Sequence, residues 1–334
     1  MSWKLKAHAL AILSRIPAGQ TLYHFLQRVA GTNRVQPRRD LDRAFELVDL
    51  AQQAGGTIEG AACLEIGTGW HPFVPFVLAL GGARRVLTYD VNPWLTFSYA
   101  LETWKSLELF LPEIAAKCGR PEHEVWDLYR SVPENPQSIR DLFDPLCIQY
   151  LCPADARATG LPTCSIDLVV SSNVLEHIPR EIQSAIHCET FRILKPEGLC
   201  VHRFNPQDHY STVDASITHG NFLKYSSNQW HWLGGSGLAY HNRLRSPEYR
   251  QLFEDARLSI EVFRERIDAR TLEEIRSGKL QVHRDFQRFT PEELAVDYVW
   301  VVARKPVITR SPKSGAPGVA LSGNGREPAL EQLV

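Results

Sequence analysis

An α/β chain built on a doubly wound, mostly parallel sheet is what this sequence predicts, on three observations. From residue 62 onward short apolar runs alternate with helix-length runs, the pattern of a parallel sheet with crossover helices. The first run, "CLEIG", passes into Gly67-Thr68-Gly69, a glycine turn between strand and helix. The last two, "LSIEVFRERI" and "DYVWVVARK", have no strongly apolar helix between them, so they are expected to pair as an antiparallel, hairpin-like edge.

Residues 1–58 read as an N-terminal helical accessory segment. Leu5, Ala9, Ile12 and Ile16 recur at helical spacing as an apolar stripe, and "LYHFLQRVAG" ends on a glycine suited to a helix C-terminus. A third helix begins near Asp40, a candidate cap. Leu41, Phe45, Val48 and Ala51 form its apolar stripe, and Gly55-Gly56 stop it.

The main domain is expected over 59–305. Its strands are "CLEIG", "RVLTYD", "IQYLCPAD", "IDLVVSS" and "LCVHRF", then the closing pair; helices start near Pro72, Pro93, Arg180 and Ser246. Two interruptions, 111–146 and 205–245, exceed what an αβ connection needs, and long loops beyond strand ends are where substrates are gripped. The tail, 306–334, is rich in Gly, Pro and Ser without periodicity and is expected to be disordered.

Thirty-seven basic and 38 acidic side chains leave a formal net charge of -1, so no global field favours nucleic acid. The seven cysteines are scattered, with no CxxC pair, which suits reduced thiols and a cytoplasmic setting. No apolar run reaches the roughly 18 residues that span a bilayer, and the first residues make a poor secretory signal. No spacing marks a metal site and none is assigned. Asp208 and the several histidines can nevertheless gather in space, so a divalent ion acidifying a sugar diol stays open.

The glycine turn admits two ligands. A dinucleotide fold asks for a third small residue, and here Pro72 stands in its place, which weakens the reading as a nicotinamide-dependent oxidoreductase. Glu65, two positions before Gly67, completes an acidic-x-Gly-x-Gly motif. At this point the chain resembles the class I S-adenosylmethionine (SAM)-dependent methyltransferases. "IDLVVSSNVLEHIP" and "FRILKPEGLCVHRF" resemble the fourth-strand and helix-to-fifth-strand segments of the type-11 methyltransferase group. The resemblance implies a Rossmann-like doubly wound sheet of the class I methyltransferase type, with S-adenosyl-L-methionine as cofactor.

It also implies a cofactor site. Glu65, Gly67, Thr68 and Gly69 would approach the methionine and ribose portions, Asp90 would accept the ribose hydroxyls, and Asp155 with the Ala156 N–H would read adenine. Asn173 would lie beside them after the fourth strand. Singly, each has a plain structural reading: a tight turn for the glycines, a helix cap for Asp90, a solvated loop acid for Asp155.

For the acceptor, a hydroxyl needs a base, and candidates belong past the fourth and fifth strands. His177 follows the fourth, where starting the next helix is its competing role; Asp208 and His209 follow the fifth. The stretch after Asn205 is rich in His, Tyr, Trp and Asn, which suits a polyol, and it resembles insertions in methyltransferases of surface-polysaccharide gene sets. Arg243 and Arg245 either clamp an acceptor anion or cap the helix after them. The expected activity is methyl transfer to a hydroxyl of a small-molecule or glycan-like acceptor; a non-catalytic SAM-binding accessory protein is the alternative. The N-terminal helix, carrying Lys4, Lys6 and Arg15, either touches a membrane surface or covers the domain.

Overall fold

The structure, a computed structural model, describes residues 2–17, 19, 21–23, 34–234, 237–238 and 240–307. Seven strands form one sheet: β1 (Ala62–Ile66), β2 (Arg85–Tyr89), β3 (Ile148–Leu151), β4 (Ile166–Ser172), β5 (Leu194–Phe204), β6 (Ser259–Ile267) and β7 (Val296–Arg304). Their order is β3-β2-β1-β4-β5-β7-β6. The first five are parallel, and β7 runs antiparallel to both β5 and β6. This is the Rossmann-like, doubly wound architecture expected. The order reverses between β1 and β4, which opens the carboxyl-end crevice where such sheets bind ligands.

Alternation along the strands divides the core. Cys63, Val86, Leu168, Val170 and Val201 face the helices Pro37–Gln53 and Phe73–Leu80, while Leu64, Leu87, Val169 and Cys200 face the helices Arg180–Ile193 and Ser246–Asp255. The closing strands are not a hairpin, because two helices, Ala269–Arg276 and Pro291–Leu294, lie between them. β7 inserts between β5 and β6, leaving β6 as the edge.

Several expectations are corrected. The helix expected near Asp40 starts at Pro37, whose missing N–H suits the first turn, so Asp40 lies inside it and pairs with Arg39 and Arg43. The N-terminal helix, Trp3–Leu13, buries Trp3, Ala7 and Leu10, whereas Leu5, Ile12 and Ile16 of the expected stripe are exposed. Residues 111–146 fold as the helices Leu111–Cys118, Glu122–Ser131 and Ile139–Phe143, and Leu111, Ile114, Val125, Leu142 and Phe143 join the core. That segment therefore covers the sheet beside β2 and β3 as helices packed into the core. The second expected helix, 22–31, and the tail, 306–334, lie almost wholly outside the described residues.

Residues 205–245 build a small second core. Tyr210, Phe222, Leu223 and Trp230 pack with Trp3, Ala7 and Leu10 of the N-terminal helix and with Leu280, Phe286 and Leu294. Most of the aromatic richness of this stretch is thus packing, and Trp3 lies between Tyr210 and Trp230 at ring distances of 5.6 and 6.0 Å. No described helix is long and apolar enough to cross a membrane.

Candidate active site

The glycine turn is shaped by its backbone. Gly67 has φ +84°, and a Cβ there would come within 2.5 Å of Val174 Cγ2, so only glycine lets β1 run this close to the end of β4. Gly69, at φ +65°, has open space where its Cβ would be, and its N–H donates to Asp90 Oδ2 at 2.9 Å. Asp90 Oδ1 accepts from the Asn92 N–H, also at 2.9 Å. Asp90 therefore stitches the turns after β1 and β2 together, and each oxygen keeps a lone pair for a further donor. Burial raises its pKa, against the pull of these N–H groups.

Behind the turn, Thr68 bonds Thr88, which donates to the buried Glu65 carboxyl. Burial pushes the Glu65 carboxyl up to about 8, and the Thr88 hydroxyl pulls the other way. In front of the turn lies a cleft of about 280 Å³ lined by Glu65, Gly67, Thr68, Gly69, Trp70, Ser172 and, from the accessory helix, Arg39, Asp40 and Arg43. The three residues from that helix were missed at the sequence level. Their signal was "RRDLDR", a charge-dense first turn, but nothing in it says that the helix leans over β1.

The remaining cofactor candidates are placed unequally. Asp155 and Ala156 follow β3 at the same carboxyl end as Asp90, with the Ala154 N–H donating to the Asp90 carbonyl at 2.9 Å. Asp155, though, is held by the Arg157 guanidinium, which lowers its pKa, so adenine contact requires that pair to share or open. Asn173 is corrected. Its Oδ1 accepts from Arg203 at 2.7 Å and from Tyr298 at 2.9 Å, and its Nδ2 donates to Asn205 at 3.1 Å, so its side chain clamps the ends of β4, β5 and β7. Arg203 in turn pairs with Glu46 at 2.9 Å, tying the accessory helix to the sheet.

A second cleft, of about 320 Å³, shares Asn205 with that clamp and is lined by Lys6, Leu10, Tyr23, His177, Asn205, His209, Tyr210, Thr212 and His241. The N-terminal helix thus walls this cleft. His177 and His209, far apart in sequence, meet here with ring centroids 4.9 Å apart. Burial, with His241 and His177 beside it, holds the His209 pKa well below its ordinary value, so it is neutral near pH 7.

Asp208 is not part of this pair. It is fully buried, with Oδ1 accepting from the Tyr210 N–H at 2.8 Å and Oδ2 from Asn221 at 2.9 Å. It caps the turn that presents His209, and burial raises its carboxyl to about 6. Arg243 donates to the Phe222 and Tyr225 carbonyls, and the buried Arg245 to that of Pro206. The Arg245 N–H bonds Glu248 at 3.0 Å, so Arg245 caps the helix after it, and neither arginine is an acceptor clamp.

The lining of the first cleft fits SAM: the Asp40 carboxylate and the Arg39 and Arg43 guanidinium groups suit an ammonium and a carboxylate, and Gly69 leaves open space for close approach, with Asp90 next to the lining on the Gly69 N–H. A family model described as a methyltransferase domain matches residues 135–202. Among curated proteins, no match was found. Among solved structures, similar chains include a SAM-dependent methyltransferase from Methanosarcina mazei, 18% identical, covering 74% of this chain and 93% of that one at a TM-score of 0.39. Another, from Mesorhizobium loti, is 15% identical and covers 77% of this chain and 96% of that one at a TM-score of 0.40. Over β3, β4, the Glu176-His177 turn and most of β5, this chain therefore carries a match to a methyltransferase domain, and the cofactor that domain implies is S-adenosylmethionine.

Proposed function

We propose that this chain is a SAM-dependent methyltransferase acting on a hydroxyl of a small-molecule or glycan-like acceptor, bound in the cleft of His177 and His209. Glu65, Gly67, Gly69 and Asp90 would hold the cofactor, with Arg39, Asp40 and Arg43 at its methionine end and Asp155 with Ala156 at its adenine. The cofactor supplies an electrophilic methyl group on a sulfonium. What the chain must add is alignment and, for a hydroxyl, a place for its proton.

The observation that carries the hydroxyl reading is the imidazole pair. His177 donates Nδ1–H to the Tyr240 carbonyl at 2.9 Å, and His209, kept neutral by burial, carries one N–H. Each ring then keeps its other nitrogen as an acceptor. A carboxylate or thiolate acceptor would need no such group. The cleft lining of Lys6, Tyr23, Asn205, Tyr210 and Thr212 offers both polar and aromatic contact to a polyol.

The test is transfer of a labelled methyl group to nucleotide sugars, free glycans and hydroxylated small molecules. Transfer to a hydroxyl is expected, and replacing both histidines by alanine should lower kcat by roughly 10²- to 10⁴-fold while SAM affinity stays. Transfer only to amines or thiols, or full activity in the double variant, would refute the reading.

A further inference from the structure

We propose that Glu176, His177 and His209 form a site for a divalent first-row transition cation, of the zinc, cobalt or iron(II) kind, at the floor of the acceptor cleft. The inference rests on the reading of that cleft as the acceptor site. One nitrogen from each imidazole and one carboxylate oxygen of Glu176 lie within 4.8 Å of one another. The tautomers decide what converges there. A backbone carbonyl can only accept, so His177 carries its proton on Nδ1, toward Tyr240, and its Nε2 holds a lone pair. The neutral His209 ring keeps one lone pair, and its Nε2 is buried without a hydrogen-bond partner among the described residues.

Glu176 completes the set. It is 1% exposed; the Asn205 N–H donates to its Oε1 at 3.4 Å, whereas its Oε2 is buried with no partner. Two buried atoms of this cluster, His209 Nε2 and Glu176 Oε2, therefore lack a hydrogen-bond partner among the described residues, which costs free energy as it stands. A proton on Glu176 would satisfy one imidazole and leave the other. A divalent cation satisfies all three.

His177 also has the outer partner that metal-binding histidines have, the Tyr240 carbonyl taking its second N–H and fixing the ring. Two nitrogens and one carboxylate suit zinc, cobalt or iron(II), and magnesium or calcium would ask for oxygen ligands. With three protein ligands, the ion keeps positions for an acceptor hydroxyl. That hydroxyl gives its proton to water and keeps its electron pair on oxygen, so the ion, instead of an imidazole, makes it nucleophilic.

The experiment is titration of the untagged, chelator-treated full chain with Co²⁺, read by absorption, and with Zn²⁺, read by calorimetry. Wild type, His177→Ala and Glu176→Gln are compared. One equivalent of ion without thiolate charge-transfer bands is expected, bound at least about tenfold more weakly by each variant. His177 is exposed, so its truncation spares the fold, and an unchanged SAM-dependent melting shift checks this. Absence of binding at micromolar ion, a thiolate spectrum, or wild-type affinity in both variants would overturn the site. The proposed function fails separately: an ion bound and lost as expected, with no transfer to any hydroxyl, keeps the site and sinks the acceptor reading. Transfer that persists after chelation, with no ion bound, does the reverse.

Discussion

Gly67 and Gly69 separate a turn's own needs from those of a ligand. Alanine at Gly67 must adopt φ +84° and push against Val174, so Gly67→Ala is expected to destabilise the fold by roughly 1–3 kcal/mol, read by chemical denaturation. Gly69 has the same backbone constraint and no neighbour, so Gly69→Ala should cost only about 1 kcal/mol. Its SAM affinity, measured by calorimetry, should fall more than tenfold if the proposed cofactor site uses that open space. Unchanged affinity would make that glycine a turn residue only. Such positions were legible because a motif fixes backbone shape locally. Asp208, Arg243 and Arg245 were not, because their partners, Asn221, Phe222 and Pro206, are chosen by the fold of the whole 205–245 segment.

Strands were readable from period and composition; β4 matches its expected span, Ile166–Ser172, residue for residue. Helix faces were harder. On the first helix Leu5, Ala9, Ile12 and Ile16 share one stripe and Trp3, Ala7 and Leu10 another, both at helical spacing. The choice fell to the side whose partners, Tyr210 and Trp230, lie more than two hundred residues away. Trp3→Ala should therefore release this helix, with loss of up to about 3–5 kcal/mol of local packing. Hydrogen exchange should rise over residues 3–13, and the acceptor KM should rise while SAM affinity holds. Leu5→Asp should change stability by no more than about 0.5 kcal/mol. A large loss there, with none at Trp3, would mean that the buried face has been misassigned.

At the scale of the molecule, one buried acid behind the glycine turn links the geometry of that turn to global stability through the Thr68-Thr88 chain. Glu65 titrates near 8 in the folded chain because its carboxyl is removed from water, against an ordinary value of 4.5. The folded state thus holds a proton that the unfolded chain releases. Its contribution is fully present below about 4.5 and is lost as pH rises through about 8, a swing on the order of 5 kcal/mol. Glu65→Gln keeps the shape of the protonated acid without its titration. The variant should match wild type near pH 4 and become progressively more stable than wild type up to pH 9, measured by denaturation at each pH. Taking the difference cancels every other titrating group, including Asp208, whose raised value of about 6 acts in the same direction. Parallel curves for the two proteins would mean that Glu65 is ionised in its pocket, and with the Thr68-Thr88 chain behind it, the turn would then present a fixed negative charge to the cofactor's ammonium.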